Sequence, residues 1–453
     1  MTPIRPAPAN WRTEIVKTSA SVSDQTVDQA TLRRAIAASA MGNATEWFDY
    51  GIYAYGVTYI SAALFPGDAG EAVLFALATF AISFLVRPLG GIFWGSLGDR
   101  LGRKSVLALT ILLMSGATLC VGLIPSYDST GFWAPLLLVL LRIVQGFSTG
   151  GEYGGAATFM AEYAPDDRRG FYGSFLEFGT LAGFSLGAFL MLAFSLLLGD
   201  QAMHDWGWRI PFLVAAPMGL IGMYLRARME DTPVFRAHES ATEARPSLGL
   251  IALMRGHWRP MLVVGGLVVA LNVVNYTLLS YMPTYLQRRI GLSPDEALAV
   301  PLLGMLFMML FLPIAGRLSD RIGRRPMWRF SLIGLLLLVT PLYMLMGTGL
   351  TGACIGFILL GLLYVPQLAT ISATFPAMFP THVRFAGFAS AYNISTSVFG
   401  GTAPAINSGL ISITGIELMP AYYMMVTCLV GLVALRFMPE TVGRTLYEDP
   451  FAQ

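Results

Sequence analysis

Twelve runs of roughly twenty or more apolar residues follow one another along the chain, at approximately 35–62, 72–97, 105–124, 133–161, 171–198, 209–228, 260–286, 297–316, 328–347, 351–378, 385–412 and 420–438. A helix of about 20 residues crosses the roughly 30 Å hydrocarbon core of a bilayer, and a water-soluble domain has nowhere to bury twelve such helices. The predicted fold class is therefore an all-α membrane protein, because only helices or closed barrels satisfy the backbone in lipid. Composition agrees, with 55% hydrophobic and 12% charged residues and a mean hydropathy of +0.62. The net charge is only +2, and the basic residues are scattered among short loops, which argues against a nucleic-acid partner. Cys120, Cys354 and Cys428 all fall inside apolar runs and are expected to be small buried hydrophobes rather than disulfide or metal ligands.

Orientation follows from the arginines and lysines. With the N-terminus inside, all but five of the basic residues are cytoplasmic; Arg209, Arg288 and Arg289 lie outside, and Arg87 and Arg142 lie within helices. The positive-inside rule then places both termini in the cytoplasm of a cell whose inner membrane the chain spans. Residues 1–33 carry no apolar core of a cleaved signal and are expected to form a disordered cytoplasmic tail.

The loop after the second run reads Gly95-Ser-Leu97-Gly-Asp99-Arg100-Leu-Gly102-Arg103-Lys104, and the loop after the eighth reads Gly316-Arg-Leu318-Ser-Asp320-Arg321-Ile-Gly323-Arg324-Arg325. Two further echoes pair Pro165 and Arg169 with Pro380 and Arg384, and Glu230-Asp-Thr232-Pro233 with Pro439-Glu440-Thr441. Matched loops in the same register predict two pseudo-symmetric six-helix bundles, 34–228 and 260–438, joined by a cytoplasmic linker at 229–259 and followed by a short tail at 439–453. In each repeated loop the glycines permit close helix approach and the acid can cap a helix end, with arginines at the cytoplasmic face. Asp99, Arg100, Arg103, Asp320, Arg321 and Arg324 are thus candidate gating residues.

Twin loops on a six-plus-six plan resemble the major facilitator superfamily, and Arg142-Ile-Val-Gln145-Gly146 is similar to its second signature. Gly42-Asn-Ala-Thr-Glu46-Trp-Phe-Asp49, Arg87-Pro-Leu-Gly-Gly91, Gly151-Glu-Tyr-Gly154, Asp205-Trp-Gly-Trp-Arg209-Ile-Pro211-Phe and Tyr281-Met-Pro283 resemble its metabolite:proton symporter branch. Within that branch the chain is most similar to the proline/betaine transporters, from about Thr31 to Arg444. The resemblance implies proton-coupled import of a small zwitterionic compatible solute by alternating access. Osmosensing members carry a long C-terminal coiled coil, whereas only about fifteen residues without heptads follow the last run, which puts direct osmotic activation in doubt. The resemblance implies a proline-containing motif in the fifth helix of antiporting members, and Gly173 to Ala188 contains no proline, which favours symport.

The first run places Glu46 and Asp49 one helical turn apart, with Tyr53 on the same face. A charge at mid-bilayer costs about 2.5–3.5 kcal/mol, so these acids need partners or a function. Arg142, Gln145, Thr149 and Glu152 form one stripe on the fourth helix, and Arg87 lies near mid-depth on the second. Three acids, Glu46, Asp49 and Glu152, face two arginines that cannot give up their charge. One carboxyl is left over to carry a proton, and the sequence leaves open which. Glu177 is the weaker candidate, only about six residues into the fifth run and near the cytoplasmic surface.

The other half offers neutral hydrogen-bonding groups at mid-depth, including Asn272, Asn275, Tyr276, Tyr392 and Asn393. An aromatic lining from Trp47, Tyr50, Tyr53, Tyr153, Tyr276 and Tyr392 could hold an ammonium by cation–π attraction while an arginine meets the carboxylate. Trp133, Trp206 and Trp208 are expected as anchors in the outer interface. No phosphate-binding loop, HExxH or paired-cysteine pattern is present, so no cofactor, metal or enzymatic activity is expected. A monomer working on protons and a small solute within the bilayer is the expected form. The alternative is a proton symporter of an anionic metabolite of dicarboxylate, citrate or shikimate type, held by Arg87 and Arg142.

Overall fold

Among the described residues the apolar runs become twelve helical spans in the computed structural model, eight of them long and apolar enough to cross a membrane by length and composition alone; the structure describes residues 29–101, 103–150, 152–228, 255–380, 383–446 and 451. In chain order they are α1 (Gln29–Leu64), α2 (Ala69–Leu101), α3 (Arg103–Gly122), α4 (Trp133–Ser148 and Glu152–Tyr163), α5 (Arg169–Leu198) and α6 (Ile210–Arg228). The second half contributes α7 (Trp258–Ile290), α8 (Pro294–Ile322), α9 (Arg324–Met346), α10 (Leu350–Thr374), α11 (Arg384–Ser395 and Ala403–Thr414) and α12 (Met419–Phe437). The expected tail at 1–33 and linker at 229–259 lie mostly outside the described residues.

Local chemistry sets several helix ends. Asp68 accepts hydrogen bonds from the Gly70 and Glu71 amides at 2.7 and 2.9 Å and starts α2. Ser293 starts α8 with a reciprocal capping box to Glu296. The two caps occupy equivalent places in the two halves.

Packing repeats with a shift of six helices. In the first half α1 lies on α5, α2 on α4 and α3 on α6; in the second α7 lies on α11, α8 on α10 and α9 on α12. The seam between the halves is built from α5 on α8, α2 on α11, α1 on α7 and α4 on α10. These are the pairs a two-fold axis through the seam would exchange or preserve.

Small residues bring the backbones together, as expected where lipid supplies no hydrophobic drive. Gly179 and Gly183 of α5 lie against the carbonyls of Ala40 and Ala44 of α1, where an added Cβ would come within 2.2 and 2.3 Å. At Gly146 of α4 a Cβ would meet the Ser83 carbonyl oxygen of α2 at 1.8 Å.

Three expectations are corrected. The fourth span is not continuous: it breaks after Ser148, where Gly150 approaches α2 so closely that a Cβ would lie 2.1 Å from the Arg87 carbonyl oxygen. Trp208 is fully buried against Phe212 and the Arg209 guanidinium, so only Trp133 and Trp206 are exposed as outer anchors would be. Cys120 lies on the bundle surface and Cys354 is half-buried, leaving Cys428 alone as a buried hydrophobe.

Candidate functional site

Glu46 and Arg87, both almost wholly buried, form an ion pair between α1 and α2. Arg87 also donates from Nε to Thr149 Oγ1 at 3.0 Å, and the Tyr50 hydroxyl meets the same oxygen at 3.1 Å. Rings of Phe84, Tyr50 and Trp47 surround the guanidinium at 4.7, 4.9 and 5.8 Å. Such contacts recover part of the cost of taking a charge out of water.

Arg142 is held differently. Its guanidinium lies 3.6 Å from the centre of the Tyr53 ring and donates to Gln145 Oε1 at 2.8 Å, while Nε and Nη2 have no hydrogen-bond partner among the described residues. Gln145 in turn donates to Thr118 at 2.6 Å. Asp49 is 3% exposed and makes no ion pair among the described residues, and its Oδ2 lacks a hydrogen-bond partner. Of the two acids on α1, Asp49 is therefore the one without an arginine bound to it. Glu152 opens the second piece of α4 and is half-buried, so the helix break interrupts the stripe that was to align it with Arg142.

A second cluster lies at the seam, around a small cavity lined by Trp47 and Glu177 from the first half and by Asn272, Asn275, Tyr364 and Tyr392 from the second. Glu177 accepts a hydrogen bond from the Tyr153 hydroxyl, and the Tyr153 ring stacks on Tyr392 across the seam at 4.5 Å. Trp47 Nε1 donates to Asn43 at 3.1 Å, and Asn43 donates to Thr180 of α5 at 2.6 Å. On the opposite wall Tyr364 donates to Asn275 Oδ1 at 3.1 Å, and Asn272 donates to Thr396 at 2.8 Å where α11 widens into a π turn. Tyr276 packs against Phe84 and Trp47. Asn393 donates to the Gly150 carbonyl at 2.9 Å, satisfying a group exposed by the break in α4.

Glu177 is buried and lines the seam cavity, where its place early in the fifth run had suggested a position near the surface. It is the single charged residue of the run 170–198, and that isolation was the available signal. It is interior because the first turn of α5 is itself covered by the other half.

That cover comes from the repeated loop. Asp320 accepts from the Gly170 and Phe171 amides at 2.7 and 2.9 Å, capping α5 from the end of α8, and pairs with Arg324 at 2.7 Å. Gly316 and Gly170 make the approach possible, since a Cβ on either would come within 2.5 Å of the other's carbonyl oxygen. Arg384 pairs with Glu162 across the same seam at 3.0 Å, whereas Arg321 is exposed. The side chains of Asp99, Arg100 and Arg103 lie outside the described residues. At the opposite face Thr58 of α1 donates to Gln287 of α7 at 2.7 Å, and the Tyr55 hydroxyl meets Met305 of α8. The halves thus touch above and below the cavity.

Known proteins share this sequence and architecture. A glycine betaine/proline/ectoine/pipecolic acid transporter of Dickeya dadantii is 44% identical over 430 residues, 93% of this chain and 86% of the relative. The proline/betaine transporter of Escherichia coli K12 is 43% identical with the same coverage, and the ectoine/proline transporter of Corynebacterium glutamicum is 43% identical over 92% of this chain and 85% of the relative. Among solved structures, a proton:xylose symporter bound to 6-bromo-6-deoxy-D-glucose aligns with a TM-score of 0.73 at 18% identity, covering 93% of this chain and 99% of that one, a likeness of fold. With the family model matching residues 47–404, the chain belongs to the major facilitator superfamily.

Proposed function

We propose that the protein is a proton-coupled symporter that imports a small zwitterion of the proline or glycine betaine type by alternating access. It would work as a monomer in the inner membrane, with both termini cytoplasmic. The observation that carries the substrate class is the seam cavity, walled by one acid, aromatic rings and amides, with no arginine or lysine among its described lining residues. A multiply charged anion would have no cation to meet there. The names of the similar transporters support the same substrates.

Coupling is assigned to Asp49 and Arg142. A buried carboxyl without a bound cation is cheapest as the neutral acid. Arg142, with two unpartnered nitrogens, is the group that can compensate Asp49 once the proton leaves. Glu46 stays charged against Arg87. The halves then rock about the seam, with the Asp320 cap formed only while the cytoplasmic side is closed.

Uptake of labelled proline into proteoliposomes under an imposed inward proton gradient tests this reading. Glycine betaine should displace proline, and 2-oxoglutarate and citrate should not. Uptake unaffected by collapsing the gradient, or displaced by the organic acids, overturns it.

A further inference from the structure

Glu177 has no part in the proton site just described, yet it faces the seam cavity. Glu46 has its charge met by Arg87, and neither Glu46 nor Asp49 lines the cavity. A cation entering the cavity therefore finds one carboxyl group, on α5, whose charged form is supported by the hydrogen bond from the Tyr153 hydroxyl and by the incoming cation itself. Trp47, Tyr364 and Tyr392 contribute ring surface around it. Rings and an acid together form a cage for an ammonium that is too substituted to use up its charge in hydrogen bonds. Across the cavity, Asn275 has its carbonyl oxygen taken by the Tyr364 hydroxyl, and its two N–H donors have no partner among the described residues. They supply what a carboxylate needs.

We propose that Glu177 is the counter-ion of the substrate's secondary or quaternary ammonium group, with Asn275 placed for its carboxylate. The proposal rests on the symport reading and assigns its binding polarity: the ammonium towards α5, the carboxylate towards α7. Tyr153 is a positioning residue, since its hydroxyl donates to Glu177 and its ring is stacked on Tyr392 of the other half. The ammonium site is thereby tied to both sides of the seam. Two separate acids, Asp49 for the proton and Glu177 for the solute, let both cargoes be bound together, as symport requires.

The test uses the purified full chain in nanodiscs and two probes of nearly equal shape: choline, a permanent cation, and 3,3-dimethylbutanol, its uncharged carbon analogue. The wild-type protein should bind choline at least tenfold more tightly than the alcohol. Glu177→Gln should bring the two within about twofold and weaken glycine betaine at least tenfold, with dimethylbutanol affinity unchanged. Glu177→Asp, a fold-conserving variant, should weaken choline at least threefold and leave the alcohol unchanged. A choline preference that survives Glu177→Gln, or choline binding unaltered in Glu177→Asp, overturns the proposal, as does a wild type that does not distinguish the probes. Failure of the symport reading looks different: wild-type protein would then bind neither proline nor glycine betaine.

Discussion

Replacing Asp320 by alanine removes the cap that the second half places on α5. The carboxylate accepts two amide hydrogen bonds, at 2.7 and 2.9 Å, from the first residues of a 30-residue helix. Hydrogen bonds to a charged group contribute about 1.5–3 kcal/mol each. The helix N-terminus adds favourable partial charge, while water recovers part of both once the seam opens. On the proposed orientation a net bias of roughly 2–4 kcal/mol towards the form closed at this end of the seam follows, or about thirtyfold to several-hundredfold in population. The Arg324 pair joins two residues of the same half, so separation of the halves does not by itself break it and it is not counted in this difference. Ser174 of α5, packed against Gly316, provides the reporter. In a background lacking Cys120, Cys354 and Cys428, a Ser174→Cys protein in inside-out vesicles is labelled with a membrane-impermeant maleimide. Asp320→Ala should raise the labelling rate at least tenfold, and Asp320→Asn, which keeps one acceptor oxygen, should fall between. A rate within twofold of the parent refutes the cap as a lock on the cytoplasmic side.

Asp49→Asn should abolish uptake driven by a proton gradient while leaving counterflow exchange of proline within a few-fold, since the amide mimics the neutral acid; transport that still follows the gradient in the variant contradicts the assignment. Gly146→Ala should lower thermal stability sharply, because its methyl would meet the Ser83 carbonyl at 1.8 Å, whereas Gly409→Ala, with nothing within 4 Å, should be nearly neutral; equal melting temperatures would show that α2 and α4 are not locked there. Asn393→Ala leaves the Gly150 carbonyl without its donor and should cost about 1–3 kcal/mol of stability, read as a lower melting temperature; no change would mean that water replaces the amide.

The chain of twelve apolar runs, the twin loops and the arginine distribution determined the membrane class and the six-plus-six plan, because helix length and charge placement in lipid are local properties of sequence. The acid surplus was legible as arithmetic: three carboxyls on α1 and α4 against two arginines. Its resolution was not, since Glu46 and Asp49 differ only in which one α2 and α4 bring an arginine to. Ring stacking decided the matter as much as charge, by turning Arg142 onto Tyr53 and leaving Asp49 without an ion pair. Glu177 shows the same limit more sharply. Counting residues from a helix end gives depth along one helix, but whether that depth is surface or interior depends on what covers the end. Here Asp320, 150 residues away in sequence, supplies the cover. Spacing along one chain fixes which side chains share a face; which faces meet across the seam, and hence which acid is paired, which is exposed to the cavity and which carbonyl a break releases, is set by contacts between residues far apart in sequence.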